Sequence, residues 1–260
     1  MQIRLNPVTL ITGAGSGIGA GCAQELARKS TGGLLLADID DAALGAVADD
    51  LDAAGVSPER ISTLAFDVTD TARWAQAADF IRGQYGRLDW AVVNTSAANG
   101  PPAESDLVDW GHTTSAQLEA TIQSLRTIMP LMAKNAQGGA IVVTTSAAAI
   151  KAEPLASNAA PGLLQVMRAA SREAAHNNVR INAVAPGGAD TPMWNDMPWL
   201  QDLVREAGNE GAAFDKIARM QPPIARYAQG SDVTRLIVML LAEEAPITGA
   251  TLVVDGGGTL

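Results

Sequence analysis

The chain has 260 residues, of which 47% are hydrophobic, and its 28 acidic and 18 basic side chains give a formal net charge of −10 at pH 7. This apolar content excludes a disordered chain, and an acidic balance with only four lysines argues against nucleic-acid binding, which needs clustered basic side chains. The single cysteine, Cys22, excludes an intrachain disulfide, and no Cys or His cluster has the spacing of a zinc site.

Short apolar runs alternate with longer Ala- and Leu-rich stretches along the chain. The predicted strands are Val8–Ile11, Gly33–Ala37, Ile61–Phe66, Leu88–Val93, Ala140–Thr144, Val179–Val184 and Thr251–Val254. The predicted helices between them include Gly17–Lys29, Ala42–Ala54, Thr71–Gln84 and Leu155–His176. This alternation is typical of βαβ crossovers, and strands that are apolar throughout are expected where helices cover both faces of a parallel sheet. The sequence therefore predicts one α/β domain over residues 1–260, with a doubly wound parallel sheet of about seven strands.

One interval, at about residues 188–223, interrupts this alternation. It follows a predicted strand end and carries apolar residues at helical spacing, among them Met193, Trp194, Met197 and Trp199. We interpret it as a lid-like insertion over a pocket at the carboxyl edge of the sheet. A packing or subunit contact is the alternative interpretation.

A glycine-rich segment joins the first predicted strand to the first predicted helix. It reads Thr12-Gly13-Ala14-Gly15-Ser16-Gly17-Ile18-Gly19. Glycines let a backbone turn tightly and approach a pyrophosphate, for which a helix N-terminus supplies N–H groups and a positive dipole end. Asp38 closes the second strand and is placed to bind the adenosine ribose hydroxyls and to repel a 2′-phosphate. The pattern favours NAD(H) over NADP(H), although Asp38 could instead be a helix N-cap or a loop carboxylate.

The spacing of these glycines resembles that of the short-chain dehydrogenase/reductase family, and the likeness extends over nearly the whole chain. Further matching segments are Asp67-Val68, the sixth-strand sequence Asn182–Gly187, Thr191-Pro192-Met193, Arg226-Tyr227, Ile247–Gly249 and Val254–Gly257. The resemblance implies a Rossmann-type fold, a small alcohol or carbonyl substrate and a homo-oligomer, either a dimer or a tetramer. The cofactor contacts that we expect are Gly13, Gly15, Ser16, Gly17, Ile18, Gly19, Asp38, Ile39, Asp67, Val68, Asn94, Pro186, Gly187 and Thr191.

The catalytic positions of that family are altered in this chain. Relatives use an Asn, a Ser and a Tyr-x-x-x-Lys pair. Here Ser146 matches the serine, and Thr145, one residue earlier, is the alternative match. Ser146 could instead belong to a turn at the end of the strand. When the family pattern is counted back from Asn182 without gaps, the positions of its tyrosine and lysine fall on Ala156 and Ala160. The position of the asparagine falls on Gln117, and the segment that reads Asn-Asn-Ala-Gly in the family reads Val93-Asn94-Thr95-Ser96 here.

Alanine cannot exchange a proton with a substrate or lower the pKa of a neighbour, and loss of the acid/base group alone costs ~10² to 10⁴ in rate. Substitutes could come from Lys151, Glu153, Asn158, Gln117 or His112. A solvated loop pair is the alternative for Lys151 and Glu153, and a surface or helix-start position is the alternative for His112.

Three interpretations of the function therefore stay open. The first is an NAD(H)-dependent oxidoreductase with a substitute proton relay. The second is a catalytically inactive NAD-sensing or partner-binding protein, and the third is a non-redox enzyme that reuses the cleft. No apolar stretch approaches the ~20 residues that a membrane span needs, and no export signal is visible, so we expect a cytoplasmic protein that is not bound to a membrane.

Overall fold

The computed structural model describes residues 6–95, 107–151, 160–187, 189–190, 198–209, 212–213, 223–226, 228–242 and 246–260. Within these ranges, only the backbone is described for residues 107–114, 148, 151, 160, 189–190 and 198–200. Among the described residues, no helix combines the length and the apolarity that a transmembrane segment requires.

Seven parallel strands form the central sheet. They are β1 (Thr9–Thr12), β2 (Leu34–Asp38), β3 (Ile61–Ala65), β4 (Trp90–Val93), β5 (Gly139–Thr144), β6 (Val179–Pro186) and β9 (Thr251–Val254). Their order across the sheet is β3-β2-β1-β4-β5-β6-β9. All seven predicted strands are confirmed, with ends displaced by at most two residues. A second, two-stranded parallel sheet, which the sequence did not predict, pairs β7 (Ala189–Asp190) with β8 (Ala228–Gln229).

Helices separate these strands along the described chain. They are α1 (Gly17–Lys29), α2 (Asp41–Ala53), α3 (Thr71–Gln84), α4 (Leu107–Met132), α5 (Ala148–Lys151), α6 (Ala160–Ala174), α7 (Pro198–Ala207) and α8 (Gly230–Ala242), with 3₁₀ turns at Pro58–Arg60 and Ala175–Asn177. The interpretation that places Lys151 in a loop is wrong, because the Ala-rich run before it, a good helix former, makes Lys151 the last residue of α5. Of the predicted helix Leu155–His176, residues 155–159 lie outside the described part of the chain.

The helices cover both faces of the sheet, which confirms the predicted doubly wound architecture. On one face, α3, α4 and α6 pack against alternate strand residues such as Leu10 and Val143. On the other face, α1, α2 and α8 pack against the intervening residues, such as Ile11 and Val142. Cys22 lies in this second layer, fully buried, and burial raises the pKa of its thiol, so it acts as an apolar filler rather than a nucleophile.

Asn182, in the middle of β6, attaches the loop that precedes β9. Its side chain is 1% exposed. Its amide Nδ2 donates to the carbonyl of Ile247 at 2.8 Å, and its Oδ1 accepts from the N–H of Ala250 at 3.1 Å. A buried backbone group without a partner is costly, so this amide satisfies two groups that the sheet ladder cannot reach.

We expect Asn182→Ala to lower the free energy of unfolding by about 1–3 kcal/mol, because it leaves one buried donor and one buried acceptor unpaired. Urea denaturation followed by circular dichroism measures this change. The exposed Asn177→Ala is the matched control and should change stability by less than about 0.5 kcal/mol. Equal stability of the two variants would contradict the anchoring role.

Candidate active site

The candidate site lies where the strand order reverses, between β1 and β4. From β1 the chain proceeds to β2 and β3 on one side, and from β4 it proceeds to β5 and β6 on the other. In open α/β sheets this reversal leaves a crevice outside the carboxyl ends of the strands, which is where ligands bind. The residues that follow β1, β2, β4 and β5 therefore define the candidate site.

The glycine-rich segment forms the tight turn from β1 into α1. Gly13 has φ +61°, in the left-handed region that favours glycine, and a Cβ there would lie 2.2 Å from the carbonyl oxygen of Asn94. A Cβ on Gly19 would lie 1.9 Å from the carbonyl oxygen of Gly13. Ser16, the N-cap of α1, makes no side-chain capping hydrogen bond, and the first turn holds no acidic residue. The N-terminal N–H groups of α1 are thus suited to an anionic ligand.

Asp38, at the end of β2, turns its carboxylate toward this segment. Its Oδ2 accepts from the N–H of Gly15 at 2.9 Å, and its Oδ1 accepts from the N–H of Asp40 at 3.2 Å. The N-cap of α2 is Asp40, whose side chain accepts from Ala43, so Asp38 is not the N-cap of that helix. The next residue, Ile39, is a large apolar side chain that is 67% exposed.

Asp67 and Val68 follow β3, beside the end of β2. The N–H of Phe66 donates to the carbonyl of Asp38 at 2.8 Å, which holds the two strand ends together. The Oδ1 of Asp67 accepts from both the N–H and the hydroxyl of Thr69, each at 2.8 Å. The carbonyl of Val68 accepts from the indole of Trp74 at 2.8 Å. These bonds give the segment a defined backbone at the same edge of the sheet as Asp38.

Asn94 follows β4 and contacts the ends of both neighbouring strands. Its N–H donates to the hydroxyl oxygen of Thr12 at 3.0 Å, and its Nδ2 donates to the carbonyl of Gly13 at 3.3 Å. Its Oδ1 accepts from the hydroxyl of Thr144 at 2.8 Å. Thr12 is the first residue of the glycine-rich segment, but the sequence did not indicate Thr144 as part of this site, although a polar residue that closes an otherwise apolar strand is a signal that could have found it.

Ser146 follows the end of β5, and Gln117 lies in α4. Both residues are half-buried. The carbonyl of Ser146 accepts from the N–H of Ala149, so Ser146 leads directly into α5. The carbonyl of Gln117 accepts from the hydroxyl of Thr121 at 3.0 Å, and that hydroxyl lies 3.2 Å from the hydroxyl of Thr95. The altered residue Thr95 therefore joins the end of β4 to α4, one turn beyond Gln117.

Pro186 and Gly187, at the end of β6, connect the ends of β5 and β9. The carbonyl of Pro186 accepts from Ala147 at 2.8 Å, and the N–H of Gly187 donates to Val254 at 2.9 Å. A Cβ on Gly187 would lie 2.5 Å from the Cβ of Asp255. Burial raises the pKa of Asp255, but its hydrogen bonds from Thr259 and from the N–H of Gly257 outweigh this effect and hold the pKa below its ordinary value.

Several predicted site residues fall outside the described residues. These are Glu153, Ala156, Asn158 and Thr191, together with most of the predicted insertion at 188–223. For His112, Lys151 and Ala160 only the backbone is described, in α4, at the end of α5 and at the start of α6. Within the described part of the chain, no group of three or more His, Cys, Asp or Glu side chains is close enough to hold a metal ion.

Comparison with known proteins gives matches over almost the full chain. The family model described as Enoyl-(Acyl carrier protein) reductase matches residues 13–259. D-threitol dehydrogenase of Mycolicibacterium smegmatis is 33% identical over 262 residues, which cover 97% of this chain and 93% of that protein. The family-model match therefore includes the site segments described above from Gly13 to Asp255.

Two solved structures share the fold at lower identity. NAD+-bound xylitol dehydrogenase has a TM-score of 0.83 at 21% identity and covers 98% of this chain and 100% of its own. L-sorbose reductase from Gluconobacter frateurii, complexed with NADPH and L-sorbose, has a TM-score of 0.83 at 24% identity and covers 100% of this chain and 99% of its own. One neighbour holds NAD+ and the other NADPH, so the fold alone does not decide between the two cofactors.

We expect Gly19→Ala to lower the free energy of unfolding by more than about 2 kcal/mol, because the added methyl group would displace the backbone at Gly13. The matched control is Gly45→Ala, also within a helix, where a Cβ would contact nothing within 4 Å. That change should be neutral or stabilise the protein by about 0.5–1 kcal/mol. Guanidinium denaturation measures both, and indistinguishable midpoints would refute the close approach.

Proposed function

The chain belongs to the short-chain dehydrogenase/reductase family, an oxidoreductase family that acts on alcohols and carbonyl compounds, and we propose that this member binds NAD(H) and oxidises or reduces such a substrate. The observation that carries the proposal is the arrangement around Asp38. A carboxylate at the end of β2 accepts a hydrogen bond from Gly15, within a glycine turn that leads into a helix N-terminus. This arrangement offers one site for ribose hydroxyls and an adjacent one for a pyrophosphate.

The charge at Asp38 supports NAD(H) rather than NADP(H). A 2′-phosphate adds one to two negative charges, and near an ionised carboxylate it would be repelled, whereas a free 2′-hydroxyl can donate to that carboxylate. The exposed Ile39 next to it offers an apolar surface for the adenine. Asp67 and Val68, at the end of the neighbouring strand, complete the adenosine end of the proposed site.

The catalytic half of the site requires a different proton relay from that of the family. NAD(H), when bound, would accept or supply the hydride, and a proton must pass between the substrate oxygen and a group of suitable pKa. Ser146 would hold the substrate oxygen through a hydrogen bond, but the tyrosine and lysine columns are Ala156 and Ala160. We propose that Lys151 or Glu153, which precede those positions in the chain, or the substrate itself supplies the missing group.

The same two alanines favour a second candidate, a catalytically inactive member that uses its dinucleotide site to sense NAD(H) or to bind a partner. That candidate needs only the adenosine and pyrophosphate half of the site, which retains its acidic and glycine residues. A non-redox reaction in the cleft has no motif of its own in this chain. A single domain with a lid-like insertion, a homo-oligomer and a cytoplasmic location stay predictions from the sequence.

Both candidate functions require that the protein binds NAD(H), and calorimetric titration of the purified protein with NAD+, NADH and NADP+ tests this requirement. We expect NAD+ and NADH to bind more tightly than NADP+, and no binding at millimolar cofactor would overturn both candidates. If NAD(H) binds, a screen of small alcohols that includes D-threitol, followed by NADH absorbance, separates them. Turnover supports the oxidoreductase, and its absence across the panel supports the inactive member.

We expect Asp38→Ala to weaken NAD+ binding by about tenfold or more, because it removes a charged acceptor from Gly15 and from the ribose. Asp38→Asn keeps an acceptor but removes the charge, so it should mainly raise the affinity for NADP+ relative to NAD+. The control Asp41→Ala removes the same charge from the exposed first turn of α2. Equal selectivity in all three variants would exclude Asp38 from cofactor choice.

We expect the double variant Ala156→Tyr with Ala160→Lys to raise alcohol oxidation by about tenfold or more, since positioned acid/base groups contribute ~10² to 10⁴ in rate. The rate is measured as NADH formation at saturating NAD+. The control, Ala156→Phe with Ala160→Lys, adds an aromatic ring and the same lysine but no hydroxyl. Equal rates for the two double variants would show that the hydroxyl at this column performs no proton transfer.

A further inference from the structure

A chain of hydrogen bonds crosses three neighbouring strands at the carboxyl edge of the sheet. The hydroxyl of Thr144 on β5 donates to Oδ1 of Asn94 at 2.8 Å, and Nδ2 of Asn94 donates to the carbonyl of Gly13 at 3.3 Å. Thr144 is 6% exposed, and Asn94 is half-buried. The chain therefore links the strand that leads to Ser146 with the glycine turn after β1.

The Asn94 amide has one favourable orientation between Gly13 and Thr144. The carbonyl of Gly13 can only accept, so the NH₂ group of Asn94 must face it and the amide oxygen faces Thr144. With the amide reversed, its oxygen would face the carbonyl oxygen of Gly13, and two acceptors would be left without a donor. In the observed orientation the hydroxyl of Thr144 donates to Oδ1 and so holds the amide in place against Gly13.

The carbonyl of Gly13 is held on two sides. Asn94 donates to it on one side, and Gly19 approaches so closely on the other that a Cβ there would lie 1.9 Å from the oxygen. The same peptide group is also held at its nitrogen, because the N–H of Ala14 donates to the carbonyl of Ala37 at 3.1 Å. The orientation of this carbonyl therefore sets the path of the turn into α1.

We propose that Thr144 is a positioning residue for the dinucleotide pyrophosphate, which acts through Asn94 on the glycine turn. The inference rests on the proposed function, because it assumes that the turn binds NAD(H). A turn that is held in its binding conformation before the ligand arrives need not be ordered on binding, so the contact contributes to affinity although Thr144 touches no ligand. It also connects the two halves of the site, since Ser146 lies two residues beyond Thr144.

The test compares two threonines that differ in their hydrogen bonds. Thr9, on β1, is buried, as Thr144 is, but its hydroxyl oxygen has no hydrogen-bond partner. Thr144→Val should weaken NAD+ binding by about three- to tenfold, the effect of losing one buried hydrogen bond. Thr9→Val should leave NAD+ affinity within about twofold of the wild type. Thr144→Ser, which keeps the hydroxyl, should restore most of the affinity.

Two further measurements separate positioning from general stability. Adenosine lacks the pyrophosphate, so its affinity should be equal in the wild type and Thr144→Val. The double variant Thr144→Val with Asn94→Ala should bind NAD+ no more weakly than Asn94→Ala alone, because both changes break the same chain. If Thr144→Val does not fold, as judged by circular dichroism, Thr144→Ala takes its place in each comparison.

The outcomes distinguish the positioning role of Thr144 from the proposed function, which is that the protein binds NAD(H). Failure of the wild type to bind NAD+ would overturn the proposed function and the inference together. Wild-type binding with equal NAD+ affinities for Thr144→Val and Thr9→Val would overturn the positioning role alone. A parallel loss of NAD+ and adenosine affinity in Thr144→Val would also overturn it, since that result describes a general disturbance of the site.

Discussion

The close approach of three backbone segments at one carbonyl, that of Gly13, is the constraint on which the rest of the site depends. Gly19 must lack a Cβ for α1 to begin where it does, and Gly13 must have φ +61° for its own carbonyl to meet Asn94. Sheet order then brings Thr144 to the far side of Asn94. Because the close approaches at Gly13 and Gly19 involve backbone that cannot move aside, the glycine turn is defined before any ligand binds.

The two halves of the proposed site differ in chemistry. The proposed dinucleotide half combines Asp38 with N–H groups at the start of α1, and it would need no proton transfer. The proposed catalytic half would depend on groups that titrate, and the family resemblance places alanines at two of its positions. Binding and catalysis would then draw on different residues of the fold, so one could be kept while the other is altered. Helices cover the apolar strands on both faces whichever residues occupy positions 156 and 160, so the stability of the sheet does not depend on the groups that transfer the proton.

Much of the fold was predictable because it depends on local pattern. Apolar strands between Ala-rich helices indicated the doubly wound sheet, and the glycine turn with its following helix indicated the candidate site. The errors have local causes as well. The Ala-rich run before Lys151 is too short to indicate a helix, and the two-residue strands β7 and β8 carry too few residues for any periodicity to show. Asp38, a possible N-cap by sequence, is not one, because the N-cap of α2 is Asp40.

By itself the sequence determined which segments become strands and helices, and which strand ends carry glycine or a carboxylate, because these properties follow from neighbours along the chain. Only the tertiary structure decided that Thr144, Asn94 and Gly13 form one hydrogen-bond chain, since these residues are separated by 50 and 81 positions. Their meeting requires β4 to lie between β1 and β5. Hydrophobic pattern does not specify that order, because every central strand is apolar on both faces and could pack beside any other.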